Sequence, residues 1–70
     1  MLDEKEMTKR FTYHTPTEGQ TQKYAEIRDM GKAFTEIVDT LCPNSREQAL
    51  AITKIEEAVM WANASIARRE

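Results

Sequence analysis

The chain has 70 residues, a net charge of −2 at pH 7, one cysteine and one histidine. The single cysteine excludes an internal disulfide. One cysteine and one histidine are also too few to form the usual ligand sets of structural zinc. Oligomerisation is therefore the remaining source of stability for a domain this small. The charge disfavours DNA as a partner, and the N-terminus lacks the apolar run of a signal peptide or membrane anchor, so we expect a cytoplasmic homo-oligomer that engages no membrane.

The N-terminal region divides into two segments. Residues 1–9 are charged and lack apolar periodicity, which predicts a flexible leader or a short fraying turn. Aromatic and polar residues alternate in residues 10–16, where a final proline disfavours a helix. We therefore predict an extended arm at the start of a single helical hairpin domain, residues 10–70. The arm can pack Phe11 and Tyr13 on a neighbouring helix or offer an aromatic face to a ligand.

A first amphipathic helix is predicted from about residue 17 to residue 41, because apolar residues recur there at steps of three and four. These residues are Tyr24, Ile27, Met30, Phe34, Ile37, Val38 and Leu41. Gly31 interrupts the pattern, where it costs up to about 1 kcal/mol relative to alanine unless close packing or a ligand needs the room. Pro43 ends the helix, and Asn44 or Ser45 can cap the next one.

A second helix is predicted from about residue 45 to residue 68. Its apolar seam consists of Ile52, Ile55, Val59, Ala62 and Ile66. Because the turn before it is short, the fold class is all-α, an antiparallel hairpin in which this seam faces the first helix. Met60 and Trp61 lie off the seam, on a surface that two helices cannot cover, and we assign them to an oligomer interface. Trp61 can instead pack under the arm, and both roles hold together if the arm comes from another subunit.

The sequence contains no recognisable catalytic machinery. No nucleophile is paired with a base at a known spacing, there is no glycine-rich phosphate loop, and the lone histidine has no carboxylate placed beside it by local structure. We therefore predict that the protein is not an enzyme, has no catalytic residues and uses neither a metal nor a cofactor.

Two pairs of residues suit an anionic ligand that carries nucleobases. Tyr13 offers a ring on which a base can stack, and Arg28 offers a guanidinium that matches phosphate oxygens. Arg68 and Arg69 form a second basic pair at the end of the second helix. Arginines at that position can equally interact with the helix dipole. The residues alone leave these alternatives open.

Four segments of the sequence resemble a family of phage proteins. They are residues 10–16, Tyr24 with Ile27-Arg28, residues 43–47 and, the longest, residues 53–68. The family is the anti-CBASS cyclic-oligonucleotide sponges, whose hairpin domain also occurs in a class of Thoeris anti-defence proteins. The resemblance covers about residues 10–68.

The resemblance implies a homohexamer, built as a trimer of dimers, in the cytoplasm of an infected bacterium. Such a protein binds cyclic di- and trinucleotide signals and hides them from immune effectors without cleaving them. The family's aromatic and basic residues for cyclic dinucleotides correspond to Tyr13 and Arg28, and its arginine for cyclic trinucleotides corresponds to Arg68. A two-fold axis suits a cyclic dinucleotide, and a three-fold axis suits a cyclic trinucleotide.

The alternative hypothesis is a small helical interaction module that binds a host protein through Met60 and Trp61.

Overall fold

The computed structural model describes residues 1–70 and consists of three α-helices without a strand. They are α1 (Glu4–Phe11), α2 (Glu18–Leu41) and α3 (Arg46–Arg69). The long helices α2 and α3 pack against each other and are joined by a short turn, which confirms the predicted all-α hairpin. Their ends differ from the predicted ends by at most one residue.

Helix α1 replaces most of the predicted leader. Residues 4–11 are helical, whereas the sequence pattern predicts a flexible leader or a short fraying turn followed by an arm that is extended from Arg10. The Asp3 carboxylate caps the helix by accepting a hydrogen bond from the Glu6 amide at 2.8 Å. Glu6 also pairs with Arg10, one turn later, at 2.7 Å. The extended arm is thereby confined to residues 12–17, which are not helical.

A narrow core joins α2 and α3. Only three residues of the chain are buried, and they are Val38, Gln48 and Ile55. The other seam residues, Ile52, Val59, Ala62 and Ile66, are half-buried. The Gln48 side-chain amide donates to the carbonyls of Asp39 at 3.4 Å and Cys42 at 3.1 Å. It therefore satisfies carbonyl groups that the end of α2 leaves without helical partners.

The two long helices approach each other closely at Gly31. A Cβ atom placed on Gly31 would lie 2.5 Å from Cγ2 of Val59 on α3. This distance is far below van der Waals contact, so any larger residue would displace the Val59 side chain. Of the reasons considered for a glycine inside α2, the structure therefore supports close packing.

We expect Gly31→Ala to destabilise the protein by about 0.5–2 kcal/mol, because the usual cost of overpacking, about 1–3 kcal/mol, exceeds the gain of up to about 1 kcal/mol that alanine brings to a helix. Gly19→Ala is the matched control, because nothing lies within 4 Å of a Cβ at that position of α2. That substitution should be neutral or stabilise the protein by up to about 1 kcal/mol, since alanine favours the helix. Urea unfolding followed by circular dichroism measures both changes. Equal stabilities of the two variants would contradict this role of Gly31.

The chain folds into a flat layer of helices. Its principal extents are 45 × 33 × 13 Å and its radius of gyration is 15.3 Å, whereas a compact chain of this length would have a radius of about 11 Å. Its accessible surface is 5851 Å², compared with about 4,500 Å² for a compact monomer of this mass. Excess surface of this kind is typical of a subunit that buries area against other subunits.

Candidate functional site

A cavity of about 520 Å³ lies between α1 and the C-terminal part of α3. We call it the arginine cleft. Its lining consists of Arg10, Phe11, Trp61, Ala64, Ser65, Arg68 and Arg69. The cleft therefore combines three guanidinium groups with two aromatic rings.

Glu6 ties two of these arginines together. Its carboxylate accepts hydrogen bonds from Nε of Arg10 at 2.7 Å and from both Nη atoms of Arg69 at 2.9 and 2.7 Å. These hydrogen bonds lower the pKa of Glu6 from 4.5 to about 2. The bonds from Arg69 make the largest contribution and the bond from Arg10 the next largest. The carboxylate is therefore ionised at neutral pH, and it fastens α1 to α3.

Arg68 differs from the other arginines of the cleft because it has no carboxylate partner. No acidic side chain forms a salt bridge with it. Its Nη2 donates to the backbone carbonyl of Arg10 at 3.4 Å, which is long for a hydrogen bond to a charged donor. Arg68 thus offers an uncompensated positive charge beside the rings of Phe11 and Trp61, a combination suited to phosphate and to a stacked base.

None of the five main cavities of the structure is lined by both Tyr13 and Arg28. Tyr13 lies in the segment between α1 and α2, with 81% of its surface exposed. Arg28 lies ten residues into α2, which is about 15 Å along the helix axis. Its exposed guanidinium makes no ion pair and lines a shallow cavity of about 440 Å³ with Glu56 and Met60. Tyr13 and Arg28 therefore lie on different parts of the surface of the chain.

Met60 and Trp61 are both well exposed, at 63% and 66%, as their positions off the seam predicted. They serve different surfaces, however, because Trp61 lines the arginine cleft whereas Met60 lines the cavity of Arg28.

A longer apolar surface runs along α2. Its members are more than half exposed, and they are Met30, Phe34, Ile37 and Leu41. Their spacing of four, three and four residues places them on one face of the helix. We call this face the apolar stripe. The sequence pattern had grouped these residues with Val38, which is buried in the core, so the apolar residues of α2 form two surfaces instead of one.

The sequence pattern did not predict that Glu6, Arg10 and Phe11 contribute to a site. A local signal was present, since Asp3 precedes a glutamate and an arginine that are four residues apart, the spacing of a helical ion pair. The pairing of Glu6 with Arg69 spans 63 residues, and no local pattern encodes it.

His14, the single histidine of the chain, has a local structural role. Nε2 of His14 is hydrogen-bonded to the Lys9 carbonyl at 2.8 Å and so joins the extended segment to α1.

No three His, Cys, Asp or Glu side chains lie close enough together to hold a metal ion. No helix is sufficiently long and apolar to cross a bilayer.

A comparison with protein-family models matches residues 3–67 to the family described as "Acb2/Tad1, hairpin domain". The match includes α1, α2 and nearly all of α3. The match ends just before Arg68 and Arg69, so two of the three arginines that line the cleft lie outside it. Comparisons with curated proteins and with solved structures return no match.

Proposed function

The chain belongs to the Acb2/Tad1 hairpin-domain family, and from this premise we propose that it sequesters cyclic di- and trinucleotide second messengers of bacterial anti-phage immunity. Binding without cleavage lowers the free concentration of the signal, so that effector proteins of CBASS-type immunity remain unliganded. The protein would thus act as a stoichiometric sponge.

The arginine cleft is the main support for this function. A cyclic trinucleotide carries three phosphates and three bases, so its site must combine positive charge with stacking surfaces. Arg68 supplies a guanidinium without a carboxylate partner, and we assign it the role of phosphate ligand. Phe11 and Trp61 lie beside it with exposed rings, on which bases can stack.

We assign a cyclic dinucleotide to a second site, shared between two protomers. Tyr13 of one protomer would stack on a base while Arg28 of its partner meets a phosphate. A cyclic dinucleotide with matching linkages has near two-fold symmetry, so an isologous dimer presents this pair of contacts twice. The high exposure of Tyr13 and the unpaired guanidinium of Arg28 support the assignment, because both groups are free within the protomer.

The assembly that we propose is a hexamer, a trimer of dimers, with a two-fold axis for the dinucleotide and a three-fold axis for the trinucleotide. The flat protomer and its excess surface support association. The apolar stripe on α2, together with Met60 and Trp61, supplies apolar surface for the interfaces.

The proposed role requires no catalytic step. A general acid at neutral pH needs a raised pKa, whereas the arginines hold the pKa of Glu6 at about 2. His14 is already hydrogen-bonded to the backbone of α1.

A thermal denaturation assay tests this function. A ligand present at a hundred times its Kd stabilises the folded state by about 2.7 kcal/mol, which raises the Tm of a small domain by several degrees. Cyclic di- and trinucleotides should therefore raise the Tm, whereas AMP should leave it almost unchanged. The alternative function, a module that binds a host protein through Met60 and Trp61, predicts no shift with any nucleotide.

A further inference from the structure

The Glu6 carboxylate binds the two Nη atoms of Arg69, which are the donors best suited to bind a phosphate. Both Nη atoms of Arg69 donate to the two oxygens of the Glu6 carboxylate, which is the bidentate geometry in which a guanidinium binds carboxylate or phosphate. The same two donors cannot serve Glu6 and a ligand phosphate at once. In the unliganded cleft, Arg69 is therefore engaged by an anion of the protein itself.

This internal ion pair is accessible to solvent and to ligands. The Arg69 side chain is 48% exposed, and that of Glu6 is 23% exposed. Arg10 is engaged through its Nε alone, which leaves its two Nη atoms without a carboxylate. An incoming phosphate can therefore reach both arginines without unfolding α3.

We propose that Glu6 is the internal counter-anion of the arginine cleft, which competes with ligand phosphate for Arg69 and so sets how many phosphates a ligand must present to bind tightly. This inference rests on the proposed function for the identity of the ligand. A ligand with one phosphate meets Arg68 and leaves Glu6 in place. A ligand with several phosphates also displaces Glu6 from Arg69 and gains a second guanidinium.

The substitution Glu6→Gln tests the competition, because it removes the charge and keeps the shape of the side chain. Glu70→Gln is the matched control. It changes the net charge equally near the same end of α3, but Glu70 pairs with Lys23, which does not line the cleft, instead of with one of its arginines. Titration calorimetry with inorganic pyrophosphate and with cyclic triadenylate measures both variants and the wild type.

Glu6→Gln should bind pyrophosphate and cyclic triadenylate roughly three- to tenfold more tightly than the wild type, with a gain that decreases as ionic strength rises. Glu70→Gln should match the wild type. If Glu6 instead serves to hold the arginines in a binding geometry, Glu6→Gln binds more weakly, and that result would overturn the inference. Circular dichroism of the variants reports whether α1 remains folded.

If α1 unfolds in Glu6→Gln, a measurement on the wild type tests whether Glu6 and phosphate compete for Arg69. At neutral pH, saturation with pyrophosphate should move the carboxyl ¹³C resonance of Glu6 towards that of a solvated carboxylate, because Arg69 releases it. A resonance that stays unchanged at saturation would refute the competition.

The proposed function and the inference about Glu6 are contradicted by different results. A wild type that binds pyrophosphate but no cyclic nucleotide contradicts the proposed function, while the Glu6→Gln comparison still tests Glu6. A wild type that binds cyclic triadenylate as tightly as Glu6→Gln does, with α1 intact in both, contradicts only the inference.

Discussion

Replacement of Tyr13 by alanine is expected to weaken cyclic dinucleotide binding by about 2–6 kcal/mol, or roughly thirtyfold to twenty-thousandfold. The two-fold site that we propose contains Tyr13 twice, so one substitution removes two stacking contacts. Tyr13 is 81% exposed in the protomer, and its loss should therefore leave the fold intact. Tyr13→Phe is the matched control, because it keeps the ring and should retain most of the affinity. Titration calorimetry measures each variant.

Two arginine variants establish which site is affected. Arg28→Ala should also weaken dinucleotide binding, with a loss that decreases as salt rises, since the lost interaction is mainly charge attraction to phosphate. Arg68→Ala should leave the dinucleotide almost unaffected and weaken the trinucleotide. Unaltered dinucleotide affinity in Tyr13→Ala and Arg28→Ala, with their assembly intact by size-exclusion chromatography, would show that the site lies elsewhere.

The second large effect is expected on assembly. Phe34→Glu places a carboxylate in the apolar stripe, where association would bury it without a partner, at a cost of several kcal/mol. Because a symmetric oligomer repeats the change in every subunit, the variant should dissociate to smaller species. Light scattering or sedimentation measures the mass, which for one protomer is 8.1 kDa. Phe34 is more informative than Trp61 because Trp61 also lines the arginine cleft.

Gln22→Glu is the control for assembly. It adds the same charge to an exposed position of α2 that does not belong to the apolar stripe, and it should keep the mass of the wild type. If Phe34→Glu also has the mass of the wild type, the apolar stripe does not form an interface.

The hairpin was predictable because periodicity and capping act locally. Ile52, Ile55 and Val59 repeat at helical spacing, and Ser45, one of the two residues expected to cap α3, accepts a hydrogen bond from the Gln48 amide at 3.0 Å. The buried position of Gln48 was not predictable, because its side chain turns away from its own helix to the carbonyl groups that end α2.

Helix α1 could not be found by apolar periodicity. It buries no residue, and its stability comes from the Asp3 cap and from the ion pairs of Glu6. One of those pairs is local, with Arg10, and the other is with Arg69 at the opposite end of the chain. Only the fold brings the second pair together, and the two arginines that Glu6 holds, Arg10 and Arg69, both line the arginine cleft.

The candidate sites were partly predictable. Tyr13, Arg28 and Arg68 were selected by residue chemistry and by family resemblance, and these properties identify side chains without showing their neighbours. The position of Arg68 beside Phe11 and Trp61 depends on α1. In the assembly that we propose, the relation of Tyr13 to Arg28 depends on how protomers associate, which the sequence of one protomer does not specify.

Titration of the wild-type protein with cyclic di- and trinucleotides, followed by recovery of the ligand, tests the central claim most directly. After calorimetry, the complex is denatured by heat and the released nucleotide is analysed by chromatography. We predict saturable binding, about one dinucleotide for each two protomers as the two-fold site requires, and return of the intact cyclic nucleotide. Absence of binding by every cyclic nucleotide, or recovery of a linear or hydrolysed product, would contradict sequestration without cleavage.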